Sequence, residues 1–168
     1  TYTDYTKKET YLKVQNLNKI TKEINLPLSN CAECSLYNEK SYHPHNYWGN
    51  LNQPDVLFIG EAPGRTEKET GLAFQGRAGK LLQKTLKEIG IDNFAIANVV
   101  ACRPEGLNAY GKVIDRKPTS TEIRHCGENF DAIINHVKPR YIAALGATAC
   151  SRLKVKGGIT SVRGVMSE

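Results

Sequence analysis

The feature that most constrains the fold is a short apolar run that ends in a glycine turn. Residues 56–59 are Val-Leu-Phe-Ile, and residues 60–64, Gly-Glu-Ala-Pro-Gly, follow directly. A continuous apolar run of this length predicts a strand that is buried on both faces of a parallel sheet. In α/β proteins, ligands bind beyond the carboxyl ends of such strands. The sequence therefore predicts a pocket at this turn, with the carboxylate of Glu61 in it.

After this turn, the sequence predicts that helices and strands alternate along the chain. Sequence patterns predict helices over residues 77–89, 119–137 and 147–153, and strands over residues 94–101 and 141–145. Thr119 and Glu122 form a capping box at the start of the second of these helices. This alternation predicts an α/β fold in which helices cover both faces of a parallel sheet, which is a three-layer α/β/α sandwich.

Two segments lie outside this alternating core. Residues 7–24 place apolar side chains three or four positions apart, which predicts an amphipathic helix within an N-terminal helical segment over residues 1–30. The main domain then covers residues 31–168. Residues 105–117 fit neither period, so we expect a long irregular connection with a functional or mobile role.

The overall composition restricts the environment and the partners of the chain. Its net charge is +6 and its pI is about 9.1, which fits either a polyanionic partner or a surface charged for solubility. No apolar run approaches the ~20 residues that span a bilayer, and no signal-peptide core is present at the N-terminus. We therefore expect a cytoplasmic protein. The sequence begins with Thr1, not Met, so it is expected to be a portion of a longer polypeptide or a domain cut from one.

Four of the five cysteines have a pattern that favours a metal centre. Cys31 and Cys34 form a C-x2-C pair, Cys102 follows a predicted strand, and Cys126 lies in a predicted helix. Four thiolates can bind either tetrahedral zinc or a [4Fe–4S] cluster. A zinc ribbon normally supplies two close pairs, so the wide separation of the last two ligands favours the cluster. Cys150, in an apolar helix, is expected to be a core residue.

Two other motifs suggest ligand binding but carry less weight. His43 and His45 could bind a metal, although four thiolates already complete a site. The Gly76–Lys80 segment suggests a phosphate loop, but Phe74 occupies the position of its first glycine and Leu81 that of its Ser or Thr. Glycines that open a helix still leave N–H groups suited to a DNA phosphate.

Further short motifs occur in order along the chain. They are 31–34 (Cys-x2-Cys), 57–64 (Leu-Phe-Ile-Gly-Glu-Ala-Pro-Gly), 71–79 (Gly-x2-Phe-x-Gly-Arg-Ala-Gly), 98–104 (Asn-Val-Val-Ala-Cys-Arg-Pro), 118–126 (Pro-Thr-x2-Glu-Ile-x2-Cys), 138–139 (Lys-Pro), 145–149 (Leu-Gly-Ala-Thr-Ala) and 163–164 (Arg-Gly). Together they resemble the uracil-DNA glycosylase superfamily, and in particular its iron–sulfur family 4, which includes polymerase-associated domains of some phages. The resemblance implies a central parallel sheet of four strands, of which the residues themselves indicate three.

The resemblance also implies an activity and assigns roles to the predicted pocket. Such enzymes excise uracil from single- or double-stranded DNA after flipping the base out of the stack. Phe74 would stack on the pyrimidine, and Asn98 would pair with its amide edge. Glu61 would orient the attacking water, and N–H groups from Gly60 to Ala62 would hold the uracil oxygens. Each of the three side chains also has an alternative role: Phe74 as a core aromatic, Asn98 as a cap at the end of a strand, and Glu61 as an exposed acid in a loop.

DNA contacts are expected from arginines near the pocket. The resemblance to the superfamily implies that Arg65, Arg103 and Arg163 lie closest to the groove that binds DNA. Arg77 begins a basic stripe that continues through Lys80, Lys84 and Lys87, and this stripe fits a solvated helix face as well as a DNA contact.

The chain departs from the family pattern at its end. After Arg163-Gly164, family members carry another strand and a His-Pro-Ser motif, and neither has a counterpart before Glu168. Two interpretations follow. The domain is C-terminally incomplete here, or it is a catalytically impaired module that binds DNA or assembles with replication or phage proteins. In either case we expect the domain to be a monomer.

Overall fold

The computed structural model describes residue 24 and residues 26–27, 30–37 and 47–166. The predicted helix over 7–24 therefore lies outside the described residues, apart from Ile24, and so does most of the proposed N-terminal segment. His43 and His45 also lie outside them. Ile24 itself is buried in the main hydrophobic core.

The described elements follow the predicted alternation of strands and helices. The strands are β1 Tyr47–Gly49, β2 Val56–Gly60, β3 Phe94–Asn98, β4 Glu105–Leu107, β5 Val113–Asp115 and β6 Tyr141–Ala144. The helices are α1 Arg65–Thr70, α2 Arg77–Glu88, α3 Ser120–His125, α4 Gly127–Val137, α5 Ala147–Arg152 and α6 Ile159–Val162.

The central sheet has the strand order β1-β3-β2-β6. β2 pairs in parallel with β3 and with β6, as the sequence predicts. β1 pairs antiparallel with β3, with Trp48 opposite Ile96, so the sheet is mixed and its fourth strand is not a parallel one. The α/β fold is confirmed, and the expectation of an all-parallel sheet is wrong at this edge. In β1 only three residues pair, which is too short for a hydrophobic period to identify.

Helices cover both faces of the sheet because the strand residues alternate between two apolar clusters. Leu57 and Ile59 of β2 belong to a cluster with Phe130 and Ile133 of α4. Phe58, between them, belongs to a second cluster with Leu86 of α2 and Ile96 of β3. Burial of each large apolar side chain contributes roughly 1.5–3 kcal/mol. This arrangement is the three-layer sandwich that the alternating pattern predicts.

Two segments differ from the sequence-based prediction. The helix predicted over 119–137 is two helices, α3 and α4, that join at Cys126, where ψ is −4°. Gly127, a weak helix former, follows the junction. Residues 105–117 are not irregular, because β4 and β5 pair as an antiparallel hairpin. Side-chain ion pairs hold this hairpin, one of them with Lys68 at a distance of 37 residues in sequence, and a hydrophobic pattern does not reveal them.

β6 forms the other edge of the described sheet. Tyr141 and Ile142 on this strand are 44% and 40% exposed. A cavity of about 840 Å³ lies along it, lined also by Arg163 and Met166. Within the described part of the chain, no helix is both long and apolar enough to cross a membrane.

Candidate active site

A cavity of about 950 Å³ opens at the carboxyl ends of β2 and β3. The structure brings most of the predicted site residues to its wall, namely Gly60, Glu61, Ala62, Arg65, Phe74, Arg77, Asn98 and Arg103. Parallel strands end at the same edge of a sheet, so the turn after β2 and the last residue of β3 meet there. The position of the cavity is the one expected for a ligand in this fold.

Phe74 and Asn98 meet directly above Gly60. A Cβ atom built on Gly60 would lie 2.4 Å from Cζ of Phe74 and 2.6 Å from Oδ1 of Asn98. Any side chain at Gly60 would therefore collide with both groups. The Asn98 side chain is buried, with 5% of the residue exposed. An aromatic face and a buried carboxamide thus share one small region of the cavity.

Phe74 adopts a left-handed backbone conformation, with φ at +56°. This conformation costs a residue other than glycine roughly 1–2 kcal/mol, so the surroundings must impose it. Gly79 permits a very close approach, because a Cβ there would lie 1.8 Å from the Phe74 carbonyl oxygen. The side-chain amide of Gln83 donates to that same oxygen at 3.0 Å. The first turns of α2 therefore fix the Phe74 backbone.

Glu67 of α1 connects the two loops that form the cavity wall. Its Oε1 accepts the backbone N–H groups of Gln75 and Gly76 at 2.8 and 2.7 Å. Its Oε2 accepts the N–H of Gly64 at 3.0 Å. The loop after β2 and the loop that carries Phe74 are thus attached to one carboxylate, of a residue that is only 9% exposed. The sequence analysis missed Glu67, although its position three residues after Gly64 is that of a capping-box acid.

The carboxylate of Glu61 accepts a hydrogen bond from α5, the helix that comes directly after the edge strand β6. The hydroxyl of Thr148 in α5 donates a hydrogen bond to Oε2 of Glu61. The backbone carbonyl of Glu61 accepts the N–H of Val100, which joins the turn after β2 to the segment after β3. Thr148 lies in one of the motifs noted above, but its contact with Glu61 depends on the tertiary fold and has no local signal.

The predicted DNA-binding arginines separate into three environments. Arg65 and Arg77 line the cavity and are exposed. Arg103 also lines it, but its side chain is 8% exposed and pairs with Glu105 at 2.6 Å and Asp115 at 2.5 Å. Arg163 lines the separate cavity along β6. Arg65 and Arg77 are therefore the two that present a charge at the cavity of Glu61.

The four candidate metal ligands surround a second, small cavity. Cys31 and Cys34 lie in a turn, Cys102 follows the segment after β3, and Cys126 is the junction of α3 and α4. All five cysteines of the chain are described and none forms a disulfide. Cys150 is buried and lines the cavity along β6 instead, in agreement with its predicted core position.

The surroundings of the cysteine cavity suit thiolates bound to a metal. Burial is the main cause that raises the pKa of Cys126 to about 12, and the neighbouring thiols of Cys102, Cys34 and Cys31 contribute to that rise. A metal cation would stabilise a thiolate at this position. The side-chain amide of Asn129 lies 3.5 Å from the Cys31 sulfur and donates to it. Such N–H···S contacts are typical of iron–sulfur sites.

The described residues contain no group of three or more His, Cys, Asp or Glu side chains arranged to hold a metal ion. Four bonds of about 2.3 Å to one zinc ion would place the sulfurs within roughly 4 Å of each other. A [4Fe–4S] cluster takes one thiolate at each of four irons, so its ligands surround a larger volume. The four cysteines around this cavity are therefore candidate ligands for either group.

A buried ion pair holds the segment of Cys31 and Cys34 against α3. The guanidinium of Arg116 donates to both oxygens of Glu122, at 2.8 and 2.6 Å. The hydroxyl of Ser35 donates to the same carboxylate at 2.8 Å. The Arg116 hydrogen bonds hold the pKa of Glu122 at about 2, well below its ordinary value. Glu122 is therefore ionised at neutral pH and joins three segments beside the cysteine cavity.

The sequence of the chain is similar to those of known proteins. A model of the uracil DNA glycosylase superfamily matches residues 47–165. A type-4 uracil-DNA glycosylase of Thermotoga maritima is 43% identical over 69% of this chain and 58% of its own length. Enzymes of the same name from Archaeoglobus fulgidus and Sulfurisphaera tokodaii are 33% and 34% identical, over 81% and 90% of this chain. The chain spans only 58–66% of the length of these three relatives.

Proposed function

The chain belongs to the uracil-DNA glycosylase superfamily, in its type-4 branch, and we propose that it removes uracil from DNA by hydrolysing the N-glycosidic bond. The observation that supports the proposal is that the side chains of Phe74 and Asn98 both lie next to Gly60, in the cavity that Glu61 also lines. These groups offer a stacking face, an amide edge and a carboxylate. These groups suit the binding of a planar base, the recognition of its hydrogen-bonding edge and the hydrolysis of its N-glycosidic bond.

The cavity would receive a base only after it leaves the DNA stack, so the proposal includes base flipping. Phe74 would stack on the flipped pyrimidine. The carboxamide of Asn98 would donate to a uracil carbonyl and accept from the ring N–H. Cytosine presents the opposite pattern of donor and acceptor at this edge, and a buried carboxamide would then face an unmatched group. Asn98 would therefore select uracil over cytosine.

Glu61 would act on the water that attacks the sugar. The transition state of glycosidic cleavage develops positive charge on the sugar, and a nearby carboxylate stabilises it and orients the water. Thr148 donates to one oxygen of Glu61 and so directs the orientation of the carboxylate. N–H groups of the turn from Gly60 to Ala62 would stabilise negative charge on the departing uracil.

The expected substrate is uracil-containing DNA in a bacterial, archaeal or phage-infected cell. The exposed side chains of Arg65 and Arg77 at the cavity and the net charge of +6 favour a polyanion.

The test is release of free uracil from a single-stranded oligonucleotide that contains one deoxyuridine. We expect release by the chain at neutral pH and no release of cytosine from a matched oligonucleotide. DNA binding without uracil release would reject the enzyme and support the alternative, a glycosylase fold used as a DNA-binding or assembly module. The same assay on a duplex substrate would show the strand preference.

We infer a structural [4Fe–4S] cluster as the cofactor, held by Cys31, Cys34, Cys102 and Cys126. The four cysteines line one cavity, and the Cys31 sulfur accepts a hydrogen bond from Asn129. Such a cluster would cross-link a turn near the N-terminus, the segment after β3 and the start of α4. Its role would be to position these segments. The cluster would be held in the cavity of these cysteines, which is separate from the cavity of Glu61, so we assign it no step of the hydrolysis.

Anaerobically purified protein is expected to be brown, with broad absorption near ~400 nm from iron–thiolate bonds. Iron and acid-labile sulfide should each be close to ~4 per chain, because a [4Fe–4S] cluster contains that number. Cys102→Ser should lower both values, whereas Cys150→Ser should leave the absorption unchanged, since Cys150 lines another cavity. Stoichiometric zinc in a colourless protein would contradict the cluster and support a zinc site.

A further inference from the structure

The hairpin of β4 and β5 has a well-defined tip. Asn108 organises the turn, because its Oδ1 accepts the N–H groups of Tyr110 and Lys112, each at 3.0 Å. Its backbone N–H also donates to the Lys112 carbonyl at 3.0 Å. Gly111 supplies the positive φ, +71°, that this turn requires. The tip is therefore held in one conformation by local hydrogen bonds.

The base of the hairpin is fixed to the rest of the domain by ion pairs. Arg103 bridges the two strands through Glu105 and Asp115. Lys68 of α1 pairs with Glu105 at 3.0 Å. Arg116 donates to the Glu105 carbonyl at 2.9 Å as well as to Glu122. An isolated two-stranded hairpin is marginally stable in water, so these contacts are what keep it in a set orientation.

The hairpin presents apolar side chains to solvent beside the cavity. Tyr110 at its tip is 94% exposed, and Leu107 is 69% exposed. Val113 and Ile114 are half exposed and line the cavity of Glu61, together with Lys112. Several large apolar side chains on one short, rigid arm contribute little to the core. Exposed apolar groups of this kind mark a binding surface.

We propose that this hairpin is a DNA-contacting arm in which Tyr110 stacks on an unpaired base next to the nucleotide in the cavity. The inference rests on the proposed function and extends it to the flanking nucleotides. Tyr110 lies two residues from Lys112, which lines the cavity, and the hydrogen-bonded turn keeps the tip close to Lys112. Successive nucleotides of a strand are about 3.4 Å apart, so the bases that flank a flipped uracil would lie near this opening.

The charge around the arm favours DNA over a protein partner. Lys112 on the hairpin and Arg65 and Arg77 across the cavity are all exposed and line the same opening. Aromatic side chains next to a basic groove are the usual combination for single-stranded nucleic acid, because every base offers a face for stacking. The acids of the hairpin, Glu105 and Asp115, are already paired with cations at its base.

The first measurement is the affinity for a uracil-free single strand, which does not depend on catalysis. Tyr110→Ala should bind at least about fivefold more weakly than the wild type, and Tyr110→Phe should bind equally well, since stacking needs the ring and not the hydroxyl. Met166→Ala is the matched control, because Met166 is 81% exposed and lines the other cavity. Equal binding by Tyr110→Ala would overturn the proposal, and it would then favour a protein partner for the arm.

The second measurement locates the contact on the strand. A 2-aminopurine is placed one or two positions from a 2′-fluoro-deoxyuridine, which resists cleavage. Its fluorescence should be quenched by the wild type and by Tyr110→Phe, and not by Tyr110→Ala. Quenching that persists in Tyr110→Ala would overturn the stacking role. Failure of the wild type to release uracil from ordinary substrate would reject the enzymatic function, while both binding measurements would still decide the role of the arm.

Discussion

Asn98→Ala is expected to lower the rate of uracil release by about 10²–10³-fold, the typical loss when one preorganised hydrogen-bonding group is removed from an active site. The side chain is buried at the carboxyl end of β3, and its oxygen meets the space above Gly60 where Phe74 also points. The variant keeps the stacking face and the Glu61 carboxylate but loses the edge that would identify uracil. Single-turnover release from an oligonucleotide with one deoxyuridine measures the effect.

Asn98→Asp is the matched control for this prediction. It keeps the volume of the side chain but removes its N–H donor, so uracil release should fall as it does in the alanine variant. Because Asn98→Asp also buries a carboxyl group, its thermal unfolding is measured beside uracil release, so that a loss of stability is separated from a loss of recognition. Wild-type release rates in both variants would contradict the assignment of the pocket. A loss confined to the alanine variant would assign the effect to the space it leaves.

The core of the fold could be predicted from the sequence because its signals are local. The apolar runs of β2 and β3 are buried, β2 pairs in parallel with both β3 and β6, and the helices between the strands have amphipathic periods. The resemblance to the superfamily, drawn from short motifs, is confirmed by the match over residues 47–165. The ends of the elements are predicted less accurately than the elements themselves. The sequence pattern predicts that the second strand extends to Ala101, whereas β3 ends at Asn98.

The hairpin could not be predicted because tertiary ion pairs stabilise it. Arg103 pairs with Glu105 and Asp115 on opposite strands of the hairpin, and Lys68, 37 residues before Glu105 in the chain, pairs with Glu105 only in the folded protein. The same pairing explains why Arg103 is a poorer candidate for a DNA contact than its sequence position indicates. Its charge is balanced by two carboxylates, and its side chain is almost completely buried.

The site was predictable in its chemical groups but not in the structure that holds them. Glu61, Phe74 and Asn98 each follow a recognisable motif, and the structure places all three in one cavity. The positive φ of Phe74 has no signal in its own residue type, since it results from the close approach of Gly79. Hydrogen bonds between side chains and distant loops likewise leave only a weak pattern in sequence.

Glu67→Gln is expected to lower the free energy of unfolding by about 2–4 kcal/mol, because hydrogen bonds to a buried charged group contribute roughly 1.5–3 kcal/mol each. Both Glu67 oxygens accept backbone N–H groups, from Gly64 on one side and from Gln75 and Gly76 on the other. A glutamine has one oxygen, so its NH2 group would face an N–H donor on one side. The melting temperature should fall by roughly 5–15 °C for a chain of this length.

Glu67→Gln should also lower the activity of the folded protein, because Glu67 sets the distance between two loops of the cavity. The loop after β2 carries Glu61, and the other loop carries Phe74. A loop that is no longer held by Glu67 would therefore misplace a side chain that acts on the sugar or stacks on the base. A displacement of about 1 Å can cost roughly 10²-fold in rate. Uracil release is measured at a temperature where the variant remains folded, with Glu69→Gln as the control. Glu69 lies in the same helix, is exposed and undergoes the same change of charge. Activity that falls only in proportion to the unfolded fraction would limit Glu67 to a structural role, and an unchanged melting temperature would contradict its role as the link between the loops.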